Sequence, residues 1–155
     1  MGCDIHLAVE VRRDGKWERA LPTGGARDPS FVELAVEKGD GWYAKRSAVE
    51  FYHNRNYYVF AVLADVRNYE DFRPISQPRG LPEDVSDAVR HLANDTDDDG
   101  DIWLGDHSFS WLTLTELQAY PWDTESAGDF VERFIPELAK IGAPEDVRIV
   151  FGFDS

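Results

Sequence analysis

The sequence predicts a single α+β domain, in which a mostly antiparallel sheet that includes both terminal strands packs against three or four helices. Apolar and polar residues alternate in residues 3–13 and 147–154, which is the pattern of half-buried strands. Between them, apolar residues recur at helical spacing in residues 57–67, 83–94 and 127–141. A chain of 155 residues with 43% hydrophobic composition can bury one core, and strands at both ends with helices between them favour a two-layer sandwich.

The opening segment predicts a β-hairpin. Its apolar face consists of alternate residues, namely Cys3, Ile5, Leu7, Val9 and Val11. Asp14-Gly15 is a two-residue turn signal, after which residues 16–21 return as a second strand. Asp4 and His6 share the polar face of the first strand, where they can bind a metal or a polar ligand, or face solvent.

The clearest helix is predicted at residues 57–67, with Asn54 or Asn56 as its N-cap. Arg55 lies at its start, where backbone N–H groups already favour an anion, and Arg67 lies at its end. Either arginine can instead have a surface role, such as an interaction with the helix dipole.

The other segments are less regular. Short strands are predicted around residues 31–36 and 48–53, and Pro136 predicts a kink in the last helix. Residues 68–82 form a predicted loop that carries Arg79, and loops of this length in a compact domain are often functional.

Residues 107–114 predict a strand that is rich in hydroxyl groups and aromatic rings. Alternation places four residues on one face, His107, Phe109, Trp111 and Thr113, and four on the other, Ser108, Ser110, Leu112 and Leu114. Thr113 or Thr115 then caps a helix that has Glu116 in its first turn. Because neighbouring residues of a strand point to opposite faces, a catalytic Ser–His pair is not expected here, and His107 is either a ligand-binding or a structural histidine.

An acidic loop precedes this strand. Asp95, Asp97 and Asp99 alternate before Gly100, and Asp106 closes the loop where a calcium-binding loop usually has Glu. Alternate carboxylates can turn inward around one hard cation, so the spacing favours a calcium or magnesium site. The alternative is a solvated acidic turn.

Charge limits the classes of partner. The chain has 30 acidic and 16 basic residues and a net charge of −14, which disfavours nucleic acid and anionic membranes. A single cysteine fits a cytoplasmic protein, and neither a signal peptide nor a membrane-spanning run is visible. A small-molecule ligand is the expected partner, and the sequence leaves the oligomeric state open.

Several motifs resemble a group of short bacterial and bacteriophage proteins. The chain opens with Met1-Gly2-Cys3-Asp4-Ile5-His6, as members of that group do. Further similar motifs follow in order: Arg55-Asn56-Tyr57 with Phe60, Leu63, Ala64, Val66 and Arg67; Arg79-Gly80-Leu81-Pro82 with Ser86; His107-Ser108, Ser110-Trp111-Leu112-Thr113 and Glu116-Leu117; and Phe153-Asp154. The resemblance implies the cytoplasm of a bacterium or of a phage-infected cell, and no particular activity.

The candidate ligand-binding residues share polar chemistry beside an apolar framework. They are Asp4, His6, Arg55, Asn56, Tyr57, Arg67, Arg79, His107, Ser108, Ser110 and Trp111. Arginines bind phosphate or carboxylate as a fork, while Trp and Tyr stack on planar rings. We therefore expect these residues, including His6, Arg55, Arg79 and His107, to converge on one pocket for a nucleotide-like anion.

Three functions fit these observations. The first is a binding protein for a small anionic, nucleotide-like ligand, which in a phage context would sequester a signalling nucleotide by analogy with other small phage proteins. The second is a metal-dependent hydrolase in which Asp4, His6 and His107 hold the ion. The third is an interaction protein whose motifs are mostly structural.

Overall fold

The computed structural model describes residues 2–22, 51–94 and 104–155. These residues include a four-stranded antiparallel sheet with the order β2–β1–β4–β3. The strands are β1 (Asp4–Arg13), β2 (Lys16–Ala20), β3 (His107–Thr113) and β4 (Val147–Asp154). The first and last strands therefore pair at the centre of the sheet, which confirms the predicted α+β class and the place of both terminal strands in it.

Cross-strand apolar pairs explain why β1 and β4 are central. Ile5 lies opposite Phe153, and Leu7 lies opposite Phe151, with all four side chains buried. The predicted hairpin between β1 and β2 is also confirmed. Its turn residues Asp14 and Gly15 have φ values of 52° and 78°, the left-handed conformation that a two-residue turn of this kind needs.

Five α-helices are found in the described part of the chain: α1 (Tyr57–Ala64), α2 (Asp87–Asn94), α3 (Leu114–Ala119), α4 (Thr124–Ala127) and α5 (Ile135–Ala139). Asn56 is the N-cap of α1, since its side chain accepts a hydrogen bond from the Val59 N–H. The predicted helix at residues 127–141 is divided. A π-helical turn at Phe130–Phe134 separates α4 from α5, and Pro136, which has no N–H to donate to the carbonyl of Glu132, lies in the first turn of α5.

The sheet is covered on both faces rather than on one. The larger core includes Ile5 and Phe153 and packs under α1, α3 and α5. On the other face, Ala8 and Val150 pack against Val89 of α2 and its neighbours. The predicted two-layer arrangement is therefore incomplete, because α2 forms a third, smaller layer. The face of β1 that appears polar in the sequence also contributes to a buried apolar strip.

The start of α3 allows a test of local stability. Thr113 Oγ1 accepts a hydrogen bond from the Glu116 N–H at 3.2 Å, and Glu116 Oε1 accepts one from the Thr113 N–H at 3.1 Å. We expect Thr113→Ala to lower the free energy of unfolding by about 1 kcal/mol, because the Glu116 N–H in the first turn loses its acceptor. The measurement is urea denaturation. Thr115→Ala, at an exposed position in the same first turn, is the control. Equal losses of unfolding free energy in the two variants would contradict this capping box.

Candidate functional site

Polar side chains gather where β1 and β3 begin and β4 ends. Asp4 lies opposite Asp154, and His107 lies opposite Phe153. We call the group the terminal cluster; its members are Asp4, His6, Arg55, Tyr57, Arg67, His107, Ser108 and Asp154. Seven of the eleven predicted ligand-binding residues thus lie at one end of the sheet, on its two faces, although they come from three separate parts of the sequence.

Arg55 is held at the entrance of β1. Its Nε donates to Asp4 Oδ1 at 2.9 Å, and about half of its side chain stays exposed, 52% by area. Its guanidinium lies against Gly2, where an added Cβ would come within 2.4 Å of Nη1. Asn56, which was predicted to bind ligand, instead has structural contacts, since it caps α1 and donates to the Ser126 carbonyl.

Arg67 approaches Tyr57 from the other end of α1. The Tyr57 hydroxyl accepts a hydrogen bond from the Cys3 N–H at 3.1 Å, and Arg67 Cζ lies 5.8 Å from the centre of the Tyr57 ring. Arg67 Nη1 donates to the hydroxyl of Tyr69 at 3.0 Å. Burial raises the pKa of the Cys3 thiol, while the nearby Arg67 opposes this rise. Arg67 itself has a φ of 53°, a left-handed conformation that is unfavourable for a residue with a Cβ.

The two histidines of the terminal cluster occupy opposite faces of the sheet. His6 is buried and its Nε2 bonds Asp154 Oδ2. His107 stacks on Phe153, and its two ring nitrogens lie 2.9 Å from Ser108 Oγ and 3.0 Å from Ser155 Oγ. Within the described residues, no three His, Cys, Asp or Glu side chains form a group that could hold a metal ion, so the proposed hydrolase ligands do not assemble into one.

An irregularity in β3 changes which of its residues share a face, so the predicted strict alternation from His107 to Leu114 is wrong. Ser108 has a φ of 57°, and the pairing with β4 shifts between His107 and Ser110. This bulge turns the Ser108 hydroxyl towards His107, so the two side chains are hydrogen-bonded although they are sequence neighbours. It also places Ser110 opposite Phe151, on the larger core.

Arg79 does not join the terminal cluster, so the predicted convergence of His6, Arg55, Arg79 and His107 is wrong. The Arg79 guanidinium donates to both carboxylate oxygens of Glu116 and to the Trp111 carbonyl, near the opposite end of β3. Its backbone N–H donates to Ser110 Oγ. These bonds hold the pKa of Glu116 below its ordinary value. Residue type alone indicated ligand chemistry but not which end of the strand the loop reaches.

Around Arg79 the structure forms a second site, which we call the Arg–Trp cleft. Three arginines alternate with two indoles along it, in the order Arg12, Trp17, Arg148, Trp111 and Arg79. The guanidinium carbon of Arg148 lies 3.9 Å from the centre of the Trp17 ring, and that of Arg79 lies 4.9 Å from the centre of the Trp111 ring. The cleft has a volume of about 580 Å³.

A buried ion pair that was not predicted from the sequence fixes the position of Arg148. Glu10 of β1 and Arg148 of β4 are both buried, and Arg148 Nε donates to Glu10 Oε1 at 2.7 Å. A basic residue within an otherwise apolar central strand was the available signal, because a buried charge needs an opposite charge beside it. Asp84 is the second partner of Arg148 and lies in the loop before α2.

Other predictions lie outside the described residues. These include Asp95, Asp97 and Asp99, so the calcium or magnesium site stays a prediction. Asp106 is described; it is exposed, and its backbone N–H donates to the Phe153 carbonyl. The strand around 31–36 and most of that around 48–53 are also outside, while residues 51–53 are not in a strand.

The helices were considered as membrane spans, and the whole chain was compared with known proteins. Among the helices of the described residues, none has both the length and the apolar character that crossing a membrane requires. No family model, no curated protein and no solved structure matches this chain.

Proposed function

We propose that this protein binds a small anionic ligand at the terminal cluster, with Arg55 and Arg67 as the groups that hold the anion. The main observation behind this proposal is that both guanidiniums have N–H groups that, within the described residues, donate to no carboxylate. Arg55 engages Asp4 through Nε alone, and Arg67 donates to a neutral hydroxyl. Arg73 also has no carboxylate partner within the described residues, but Arg55 and Arg67 differ from it because both lie in the terminal cluster.

The arginines of the Arg–Trp cleft make the contrast clear. Arg79 is bound by both oxygens of Glu116, and Arg148 is bound by Glu10 and Asp84. An anion at that cleft would have to displace a carboxylate that is already in place. At the terminal cluster it would add hydrogen bonds to donors that are already oriented, which costs less reorganisation.

Backbone strain supports the same location. Within the described residues, five residues other than glycine have left-handed φ values, and two of them, Arg67 and Ser108, belong to the terminal cluster. Each such residue costs on the order of 1–3 kcal/mol and persists where surrounding structure imposes it, often at binding sites. At this site the strain sets the approach of Arg67 to Tyr57 and of Ser108 to His107.

The ligand class that fits these groups is nucleotide-like. Tyr69, which accepts the hydrogen bond from Arg67, is 74% exposed and offers a ring face beside that guanidinium. A phosphate on the arginines would leave a base within reach of this ring. Tyr69 would thus take the stacking role that the sequence analysis gave to Trp111, which lies in the Arg–Trp cleft.

Arg67→Ala tests this proposal. We expect the affinity for AMP, measured by isothermal titration, to fall about 10–100-fold, because a charged hydrogen bond contributes about 1.5–3 kcal/mol. Arg73→Ala is the matched control, since Arg73 lies further along the same loop and stacks on Tyr120. Mass spectrometry of the denatured wild-type protein would also identify any retained anion. Equal affinities in the two variants, or wild-type protein that binds neither AMP nor inorganic phosphate, would overturn the proposal.

A further inference from the structure

The Arg–Trp cleft carries more negative than positive charge, although three arginines line it. Each arginine has its own carboxylate: Arg12 pairs with Asp146, Arg79 with Glu116 and Arg148 with buried Glu10. These pairs neutralise the guanidiniums, so they leave no net positive charge to attract an anion. Arg148 also pairs with Asp84, whose side chain is 67% exposed and adds a negative charge to the mouth of the cleft.

Two further carboxylates line the cleft and are not used by these pairs. Glu83 lies in the loop before α2, and Glu145 lies in the short 3₁₀ helix before β4; both are exposed. Within the described residues, neither side chain has a hydrogen-bonding or ion-pairing partner. Half-buried Leu81 and buried Pro82 also line the cleft and make part of its wall apolar. The cleft therefore combines an anionic rim with aromatic and apolar walls.

We propose that the Arg–Trp cleft docks an arginine side chain of a basic polypeptide partner. A guanidinium is planar, so it can contact the part of an indole that stays exposed. Trp17 and Trp111 are both partly exposed, although each ring already lies near two arginines of this chain. Its fork of N–H donors matches the carboxylates of Glu83 and Glu145. The aliphatic part of the incoming side chain would cover half-buried Leu81.

The charge of the whole molecule favours the same partner. With a net charge of −14, the protein attracts basic polypeptides from a distance, and the cleft then supplies a specific site for the first side chain to arrive. Lysine has a compact ammonium group with neither the planar fork nor the stacking surface, so arginine should be preferred. This site is separate from the terminal cluster, and the two proposals can fail independently.

Isothermal titration with two acetylated tetrapeptides, tetra-arginine and tetra-lysine, tests the inference at low salt. We expect tetra-arginine to bind the wild-type protein at least about fivefold more tightly than tetra-lysine. In the double variant Glu83→Gln/Glu145→Gln the affinity for tetra-arginine should fall about tenfold. The double variant Glu125→Gln/Glu132→Gln has the same charge change at exposed positions that do not line this cleft, and it should stay within about twofold of wild type.

Three results would overturn the inference. Equal losses in the two double variants would mean that the peptide senses only the overall charge of the protein. Equal affinities for the two peptides would exclude recognition of the guanidinium. Absence of measurable binding to tetra-arginine would exclude the site itself.

Discussion

Glu10→Ala is expected to be among the most destabilising single substitutions in this protein, with a loss of about 3–5 kcal/mol in the free energy of unfolding. Glu10 Oε1 accepts from Arg148 Nε at 2.7 Å, and Oε2 accepts from the Ser86 N–H at 2.8 Å. Removal of this carboxylate leaves Arg148, only 3% exposed, with the exposed Asp84 as its remaining carboxylate partner, and it leaves the Ser86 N–H without its acceptor. Urea denaturation measures the loss.

Two further variants separate charge from packing. Glu18→Ala removes an exposed carboxylate from neighbouring β2 and should change stability by no more than about 0.5 kcal/mol. The double variant Glu10→Leu/Arg148→Met removes both charges, so it should be more stable than Glu10→Ala, because an unpaired buried charge is worse than an apolar replacement of the pair. If Glu10→Ala unfolds at the same urea concentration as Glu18→Ala, the Glu10–Arg148 pair is not buried as described.

Phe151→Ala is expected to cost a similar amount, about 3–5 kcal/mol, for a different reason. Phe151 lies in central β4, is fully buried, and its ring centre lies 5.8 Å from that of Phe153. It also lies opposite Leu7 and Ser110 on the two neighbouring strands, so a truncated side chain leaves a cavity that the sheet cannot close. Thermal denaturation of the variant gives the comparison with wild type.

Phe72→Ala is the control for Phe151→Ala. Phe72 is 36% exposed in the loop after α1, so removal of its ring should cost less than about 1.5 kcal/mol. A melting temperature for Phe151→Ala within a degree or two of wild type would mean that Phe151 is not part of the core.

The features that the sequence predicted well depend on local patterns. Alternation over eight or more residues identified β1 and β4, and a two-residue Asp-Gly signal identified the turn that joins β1 to β2. Asn56 was a predictable cap because a polar side chain preceded a clear apolar helix. None of these features requires knowledge of which segments meet in space.

The features that the sequence did not predict depend on distant contacts. The conformation of Ser108 follows from the pairing of β3 with β4, and it reverses the expected relation between Ser108 and His107. The second buried face of β1 exists because α2 folds over Ala8, which by itself does not reveal a core position. Arg79 and Arg55 do not share a pocket, because the long loop places Arg79 beside Glu116.

The pairing of β1 with β4 also affects the order of events during protein synthesis. Glu10 and Arg148, which face each other across these strands, are separated by 138 residues. At a translation rate of about 5–20 residues per second, β1 leaves the ribosome on the order of ten seconds before β4 exists. Meanwhile β1 has β2 as its hairpin partner, and an isolated two-stranded hairpin is only marginally stable in water. The central sheet is therefore expected to form only once β4 has been made, and the nascent chain carries an apolar strand that is available to chaperones until then.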